Sequence, residues 1–549
     1  MTRTTGGDAL VATLIDHGVT QGFTVPGESF LAVLEGLRRG RNRVRLVNAR
    51  HEAAAAFAAE AYGKVAGRPA AVFVSRGPGA SNAAIGVHTA MANSTPLLLF
   101  VGDVPRRVQD REAFQGIDYR RFFGAVAKAV IQPFSPEDVA EATARAWRTA
   151  TSGRPGPVVV VLPEDVTEGD CPVVPAIRPP IAVAAAPDPR AVAEAAAAIA
   201  AARRPVIVCG EMIAVHRAHD ALIRFAERAG AAVLAAFRRQ DCFPNDHWCY
   251  GGHLGLTRET HIREHWTGAD VVVAAGSRMD DMTTEEFTFL RSDQRLVMLH
   301  PDPAELATAG ATIGLAGDVG AALDSLSRAL PEPSAARLAE TRAVHAREVR
   351  HASFDRPPAI GAVDMVQVVR AVAEAMPPET MVAIDAGTFA SWVYRHFPWR
   401  RPFTQVAAEV GAMGVGVPGA IGAALANPGA PIVCFVGDGC FMMTGQELAT
   451  AVEHRIPVKV VLCDNAAYAS ILIHQHRRYG ADAHYGVTIQ SPDFAAVARG
   501  YGLPAWTVRA TAEFAPAFRA ALAHDGPALV HVVTDIRDGS ASGPLDPRA

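Results

Sequence analysis

A carboxylate set between two glycines, Gly437-Asp438-Gly439, stands where the apolar run Ile432-Val433-Cys434-Phe435-Val436 gives way to a helical pattern. That run has the length and composition of a strand buried on both faces of a parallel sheet. The carboxyl end of such a strand is where open α/β sheets hold ligands, and the helix that follows offers free N–H groups to a phosphate. A second apolar run, Val460-Val461-Leu462, ends in Cys463-Asp464-Asn465-Ala466-Ala467. The Asp438 carboxylate, the Asn465 amide oxygen and the oxygens of a diphosphate would form an oxygen-only shell of the kind Mg²⁺ takes. Gly-Asp-Gly alone is more often a turn. Two separated strand ends that agree, and the motifs below, raise it above that reading.

Other segments carry the same kind of signal. Arg50-His51-Glu52 precedes the Ala-rich helical pattern 53–63. By itself an acid there only complements the helix dipole. It is followed, however, by Ser75-Arg76-Gly77-Pro78-Gly79-Ala80-Ser81-Asn82 and by Ala113-Phe114-Gln115, and preceded by Val25-Pro26-Gly27. Farther on, Asp385-Ala386-Gly387-Thr388-Phe389 closes the strand-like run 381–384. Glu409-Val410-Gly411-Ala412-Met413-Gly414-Val415-Gly416 reads as a glycine-rich strand-to-helix turn, with Met413 as a gap-filling residue on the plainest view.

The elements that position these residues alternate in a βαβ rhythm, which predicts an α/β fold of three doubly wound domains. At 549 residues the chain exceeds what one core supports. The expected units are 1–170, 190–330 (Rossmann-like) and 361–536. The first is anchored by strands at 22–25, 70–75, 97–101 and 158–162, the second by strands at 206–209, 232–234 and 271–274. A Pro- and Ala-rich linker over about 166–189 (Pro172, Pro175, Pro179, Pro180, Pro187, Pro189) and a charged helix ending at Pro357-Pro358 separate them. The first and third units share a plan, which suits a ligand held between two similar domains.

Composition excludes several classes. The formal net charge is −4, and the basic clusters Arg38-Arg39-Gly40-Arg41 and His476-Arg477-Arg478 are short and read as solvated faces, so neither nucleic acid nor an anionic membrane is an expected partner. The N-terminal segment carries Asp8 and Asp16 and reads as an amphipathic helix. No apolar run reaches the ~18 residues of a membrane span. Seven cysteines without a Cys-x-x-Cys pair point to reduced thiols in a cytoplasmic protein.

The ordered set of motifs resembles the acetolactate synthase branch of the thiamine diphosphate (ThDP) enzymes, over essentially the whole chain. The resemblance implies a ThDP- and Mg²⁺-dependent enzyme. Glu52 would be the catalytic carboxyl that shares a proton with pyrimidine N1′, so that the 4′-nitrogen can remove the thiazolium C2 proton. Pro26, Gly27 and Gly77 would line the thiamine ring, and Gln115 would reach the reacting carbonyl. Met413 would be the wedge that bends the cofactor, with the Gly411 carbonyl on its 4′-amino group. Ala386, Gly387 and Thr388 would meet the diphosphate, as would Gly437, Asp438, Gly439 and Cys440. Asp438, Asn465 and the Ala467 carbonyl would hold the metal, and Tyr468 would complete the loop. Glu52 would come from one subunit and the metal loop from another, which implies a homodimer or dimer of dimers (homotetramer).

Departures from the family pattern concern the substrate. His474 stands where the family has the Trp that selects the acceptor 2-oxo acid. It is read either as a general acid or base or as a polar lining residue. Leu254-Gly255-Leu256-Thr257-Arg258 replaces a Gly-Met-His-Gly segment, while Ala275-Gly276-Ser277-Arg278-Met279-Asp280-Asp281 keeps its counterpart, so the middle domain holds FAD, another nucleotide, or nothing. Glu28 has no assigned role. The expected reaction is decarboxylation of a 2-oxo acid such as pyruvate and ligation of the retained fragment to a second carbonyl (carboligase, transferase or lyase chemistry). The alternatives are a 2-oxo acid decarboxylase releasing an aldehyde and a noncatalytic nucleotide-binding protein.

Overall fold

The computed structural model describes residues 4–171, 177–178, 184–255, 259–354 and 359–545. Pro172, Pro175, Pro179 and Pro180 of the linker, Leu256-Thr257-Arg258, and Pro357-Pro358 lie outside them. Among the described residues eighteen strands form three six-stranded sheets, and every pairing between them is parallel. The first sheet contains β1 (Gln21–Thr24), β2 (Arg45–Asn48), β3 (Ala71–Ser75), β4 (Leu97–Asp103), β5 (Ala129–Ile131) and β6 (Pro157–Pro163), in the order β2-β1-β3-β4-β6-β5. The third contains β13 (Met381–Ile384), β14 (Gln405–Ala407), β15 (Ile432–Gly437), β16 (Lys459–Asp464), β17 (Ala505–Val508) and β18 (Ala528–Val533). Its order, β14-β13-β15-β16-β18-β17, repeats that of the first sheet strand for strand.

Between them lies a sheet of β7 (Pro205–Cys209), β8 (Ala232–Ala235), β9 (Tyr250–His253), β10 (Val271–Ala275), β11 (Arg295–His300) and β12 (Ile313–Ala316). Its order, β12-β11-β10-β7-β8-β9, reverses between β7 and β10 as in dinucleotide-binding sheets. The doubly wound α/β class and the shared plan of the first and third units are both observed. The central strands of each sheet are buried on both faces, which is why their sequences are continuously apolar.

Two helices join the first and third units. Helix Glu52–Ala66 follows β2 and helix Gly416–Ala426 follows β14, so they occupy equivalent places in the two repeats. The first is mostly alanine and nearly all buried, as befits a helix packed all round. The second is glycine- and alanine-rich and buried over residues 416–424. Ala61 and Val65 pack against Val417, Ala420, Ile421 and Ala424, and Ala53 and Phe57 against Ala408, Ala412 and Val415. At the closest approach, a Cβ added to Gly422 would lie 1.9 Å from the carbonyl oxygen of Ala58. Replacing Gly422 by Ala is therefore expected to cost about 1–3 kcal/mol through overpacking. Gly429→Ala, where an added Cβ meets nothing within 4 Å, should be neutral. Thermal unfolding of the two variants checks this, and equal midpoints would show that the helix contact does not limit stability.

Candidate active site

Each candidate residue of the first domain follows the carboxyl end of a strand: Pro26 and Gly27 after β1, Glu52 after β2, Gly77 after β3 and Gln115 after β4. Close backbone approaches draw them together. A Cβ on Gly27 would lie 2.3 Å from Ser75 Cβ, and one on Gly77 2.7 Å from the Gln115 carbonyl, which accepts the Gly77 N–H at 2.8 Å. Glu52 opens its helix, and the capping His51 ring accepts the Ala53 N–H through Nδ1 at 3.1 Å. Asn82 Nδ2 donates to Glu52 Oε2 at 2.9 Å. Gln115 is exposed with φ +64° and Arg76 has φ +42°. Left-handed backbone at non-glycine residues is costly and clusters at functional sites. Arg76 pairs with Glu164 at 2.6 Å and lies 3.6 Å from Glu28, which is otherwise exposed.

In the third domain the equivalent strand ends line one cavity of about 220 Å³. Its walls include Ala386, Gly387 and Thr388 after β13, Gly411 and Met413 after β14, Gly437, Asp438, Gly439 and Cys440 from the end of β15, and Asn465, Ala467 and Tyr468 after β16. None of its lining residues comes from the first domain. Asn465 N–H donates to Asp438 Oδ2, and Ala467 N–H to Asn465 Oδ1, both at 3.2 Å, through a turn with Ala466 at φ +56°. Tyr468 and Met413 both stand over Gly439, where a Cβ would meet the Tyr468 ring at 2.7 Å. Burial, and then the charge of Asp464, push the Asp438 carboxyl up to about 6. Asp464 is also desolvated, but hydrogen bonds from His531 and Ser491 outweigh that and hold it below the usual carboxylate range. The loop is thus short of positive charge, and its donors are oxygens.

Two acids to which the motif reading gave no role hold these loops in place. Asp385, fully buried, accepts the N–H groups of Ala386 at 2.7 Å, Gly414 at 2.9 Å and Gly416 at 2.7 Å. Thr444 Oγ1 donates to the Gly414 carbonyl at 2.7 Å, so the turn carrying Met413 is clamped from both sides. Glu447 accepts the Arg50 N–H at 2.9 Å, which ties the segment before Glu52 to the third domain. A lone Asp at a strand end and a helical Glu carry no sequence mark of such partners, which lie tens or hundreds of residues away.

His474 sits apart. It is exposed on helix Ala469–Tyr479 and lines a second cavity of about 350 Å³ between the middle and third domains, which shares Ala386, Gly387, Thr388, Gly411 and Ser470 with the first. Arg477 and Arg478 are exposed, but His476 is buried against His484 at 3.2 Å, so the basic cluster is not wholly a solvated face. In the middle domain, Glu211 follows β7 and Arg278 follows β10, at the reversal of strand order. They pair at 2.6 Å; Arg278 also reaches Glu409 at 3.1 Å, and Glu409 pairs with Arg239. Arg278 and Arg239 donate to the carbonyls of Ala92 and Asn93 in the first domain, knitting three domains together.

Three sequence models of the thiamine pyrophosphate enzymes match in succession: the N-terminal TPP binding domain at residues 4–122, the central domain at 192–326 and the C-terminal TPP binding domain at 385–532. The chain therefore belongs to the thiamine pyrophosphate enzyme family and is a ThDP-dependent enzyme. Within the family it is of the acetolactate synthase large-subunit type. It is 32% identical to the acetolactate synthase large subunit of Parasynechococcus marenigrum, over 91% of this chain and 82% of that protein. It is 30% identical to the acetolactate synthase isozyme 1 large subunit of Escherichia coli, over 98% and 95%. An X-ray structure from Mycobacterium smegmatis, described as a thiamin diphosphate-dependent enzyme, superposes with a TM-score of 0.84 at 26% identity, covering 97% of this chain and all of that one.

Removing the Asp385 carboxylate leaves three N–H groups without their acceptor, two of them beside Met413. Asp385→Ala is expected to cost about 2–5 kcal/mol and to weaken ThDP binding, seen as a lowered unfolding midpoint and a smaller cofactor-induced shift. An unchanged shift would show that the clamp does not shape the cofactor loop.

Proposed function

We propose that this chain is a Mg²⁺-dependent carboligase that decarboxylates a 2-oxo acid such as pyruvate and joins the retained fragment to a second carbonyl compound. The observation that carries this reading is the two-part site. The third domain gathers Met413, the Asp438–Ala467 loop and the Ala386–Thr388 turn around one cavity, while Glu52, Gly77 and Gln115 form a separate cluster. A second copy of the chain supplies Glu52 to that cavity, making the enzyme a homodimer or dimer of dimers. Exposed apolar side chains beside both halves support such an interface: Phe114 at 75% exposure, Phe122, Met442, Met443 and Ile471.

When bound, ThDP supplies a carbon nucleophile for the 2-oxo acid carbonyl and takes up the electrons released with CO₂. Glu52, oriented by Asn82, holds the proton shared with pyrimidine N1′. Met413, seated over Gly439, and the Gly411 carbonyl would hold the pyrimidine side of the cofactor. Pro26, Gly27 and Gly77 line the ring, and Gln115 contacts the substrate carbonyl. Asp438, Asn465 and the Ala467 carbonyl hold Mg²⁺; the elevated Asp438 carboxyl fits a cation there. Gly437, Cys440 and Tyr468 complete the diphosphate pocket. The middle domain works without FAD, because the buried Glu211 carboxylate occupies the crevice where a dinucleotide phosphate would lie. Seven free cysteines fit the reducing cytoplasm. Among the described residues no helix is long and apolar enough to cross a membrane.

His474 favours a second reading, a decarboxylase that protonates the retained fragment and releases an aldehyde, since it lines the cavity beside the cofactor site. Product analysis with pyruvate, ThDP and Mg²⁺ separates the two: acetolactate supports ligation and acetaldehyde alone supports the second reading. Glu52→Gln should keep ThDP affinity within a few-fold and lower turnover at least ~100-fold. Asp438→Asn should weaken Mg²⁺-dependent ThDP binding by roughly 100-fold. Co-expressing these two inactive variants should restore about a quarter of wild-type activity, because half of randomly paired dimers carry one intact site. No recovery would place both halves in one subunit.

A further inference from the structure

The second cavity, about 350 Å³ between the middle and third domains, is strongly basic. Its one acid among the described residues, Glu259, is already engaged by His351 at 3.1 Å and Arg395 at 3.6 Å. Arg395 also donates to the carbonyls of His351 and Ala541. Arg238 differs. It is only 5% exposed, and among the described residues no carboxylate pairs with it. One terminal nitrogen donates to the Ala408 carbonyl, and its Nε is buried without a hydrogen-bond partner. The guanidinium stands 4.8 Å from the Phe237 ring and 5.7 Å from that of Tyr394. Such stacking recovers only part of the cost of removing a charge from water. The arginines of the neighbouring crevice, Arg239 and Arg278, each have Glu409 or Glu211. Arg477, at the far end of helix Ala469–Tyr479, also lines the cavity and carries no hydrogen bond or ion pair among the described residues.

We infer that this cavity binds a substrate carboxylate that survives the reaction, with Arg238 as its buried counter-ion and Arg477 nearer solvent. The inference rests on the proposed 2-oxo acid chemistry. The carboxylate that leaves as CO₂ breaks its bond to the carbonyl carbon and leaves the electron pair on the retained fragment. That pair then forms the new bond to the acceptor carbonyl, whose oxygen takes up a proton. A guanidinium fixed on the departing carboxylate would favour the ground state over the transition state. The anion facing Arg238 is therefore another one: the carboxylate of an acceptor 2-oxo acid, or the far carboxylate of a dicarboxylic donor.

The holoenzyme and its Arg238→Met and Arg238→Lys variants are compared on three mixtures. Ligation of pyruvate to propanal, read as the hydroxyketone product, retains no carboxylate; pyruvate alone retains that of the acceptor, and 2-oxoglutarate with propanal retains that of the donor. Arg238→Met should leave the first mixture within about threefold of wild type and raise KM roughly 30-fold or more in the arm with the recognised carboxylate. The affected arm names the source, and Arg238→Lys should recover part of the loss. Titration calorimetry with the unreactive hydroxy acids lactate and 2-hydroxyglutarate gives a readout apart from turnover, expected to weaken in parallel. Equal losses in all three mixtures, no loss in any, or a nucleotide that copurifies with the wild type and is lost from Arg238→Met would overturn the inference. A wild-type enzyme that turns over none of the mixtures would instead sink the proposed function. Calorimetry then decides on Arg238: no hydroxy-acid binding, or binding that Arg238→Met leaves unchanged, overturns the inference.

Discussion

The placement of the two halves of the site within one chain depends on how closely two helices approach. Helix Glu52–Ala66 and helix Gly416–Ala426 are equivalent elements of two sheets with one topology, and each emerges from a loop that carries site residues. Their contact fixes Glu52 and the Met413 turn relative to each other within a chain. Only small side chains let the backbones meet where Gly422 faces the Ala58 carbonyl. The alanine richness of 53–61 is thus a packing requirement. A larger residue would push the two domains apart and move both loops at once, since interiors at native density have little space to absorb it.

A second constraint is electrostatic. Loops at the carboxyl ends of parallel strands leave many N–H groups to satisfy, and this chain meets the need with buried acids. Asp385 takes three N–H groups, Glu447 takes that of Arg50, and Asp464 takes Ser491, His531 and the Ala466 N–H. Each costs desolvation and repays it only with its donors in place. The Glu211–Arg278–Glu409–Arg239 knot follows the same rule across three domains. Against that background a buried guanidinium without an acid among the described residues stands out, which is why Arg238 carries information and its paired neighbours do not.

Legibility in the sequence followed burial and locality. The central strands β3, β4, β6, β7, β10, β13, β15 and β16 are apolar runs because both faces are covered, and they could be placed from composition. The strands β2, β5, β9, β12 and β17 lie at sheet edges; β2 begins Arg45-Leu46 and is largely exposed, and β12 alternates buried and exposed residues. With one flank open they lose the continuous apolar signal. The segment after β1 starts as a short tight turn, Glu28–Phe30, before the regular helix Leu31–Arg39. The glycine-rich loops that line one cavity were legible because backbone geometry forces glycine at set positions beside a set acid or amide. Asp385, Glu447 and Arg238 were not, because what distinguishes each is a partner, or the lack of one, brought close only by the fold.

That contrast also explains why the two cavities read so differently. The cavity around Gly439 is shaped by backbone: glycines such as Gly387, Gly437 and Gly439 where a Cβ would clash, peptide N–H groups, and a few side chains fixed by the turn that bears them. Such a wall tolerates little substitution, so its pattern stays recognisable at 30% identity. The adjoining cavity is walled largely by side chains that follow β8, by the end of β9, and by the helix Phe389–His396 and the helix Ala469–Tyr479, with no backbone constraint linking their identities. Side chains such as Arg238 and His474 can set what binds there without disturbing the backbone of the neighbouring cavity. Divergence in substrate is therefore expected on that wall, and the charge of its side chains is the physical quantity to read there.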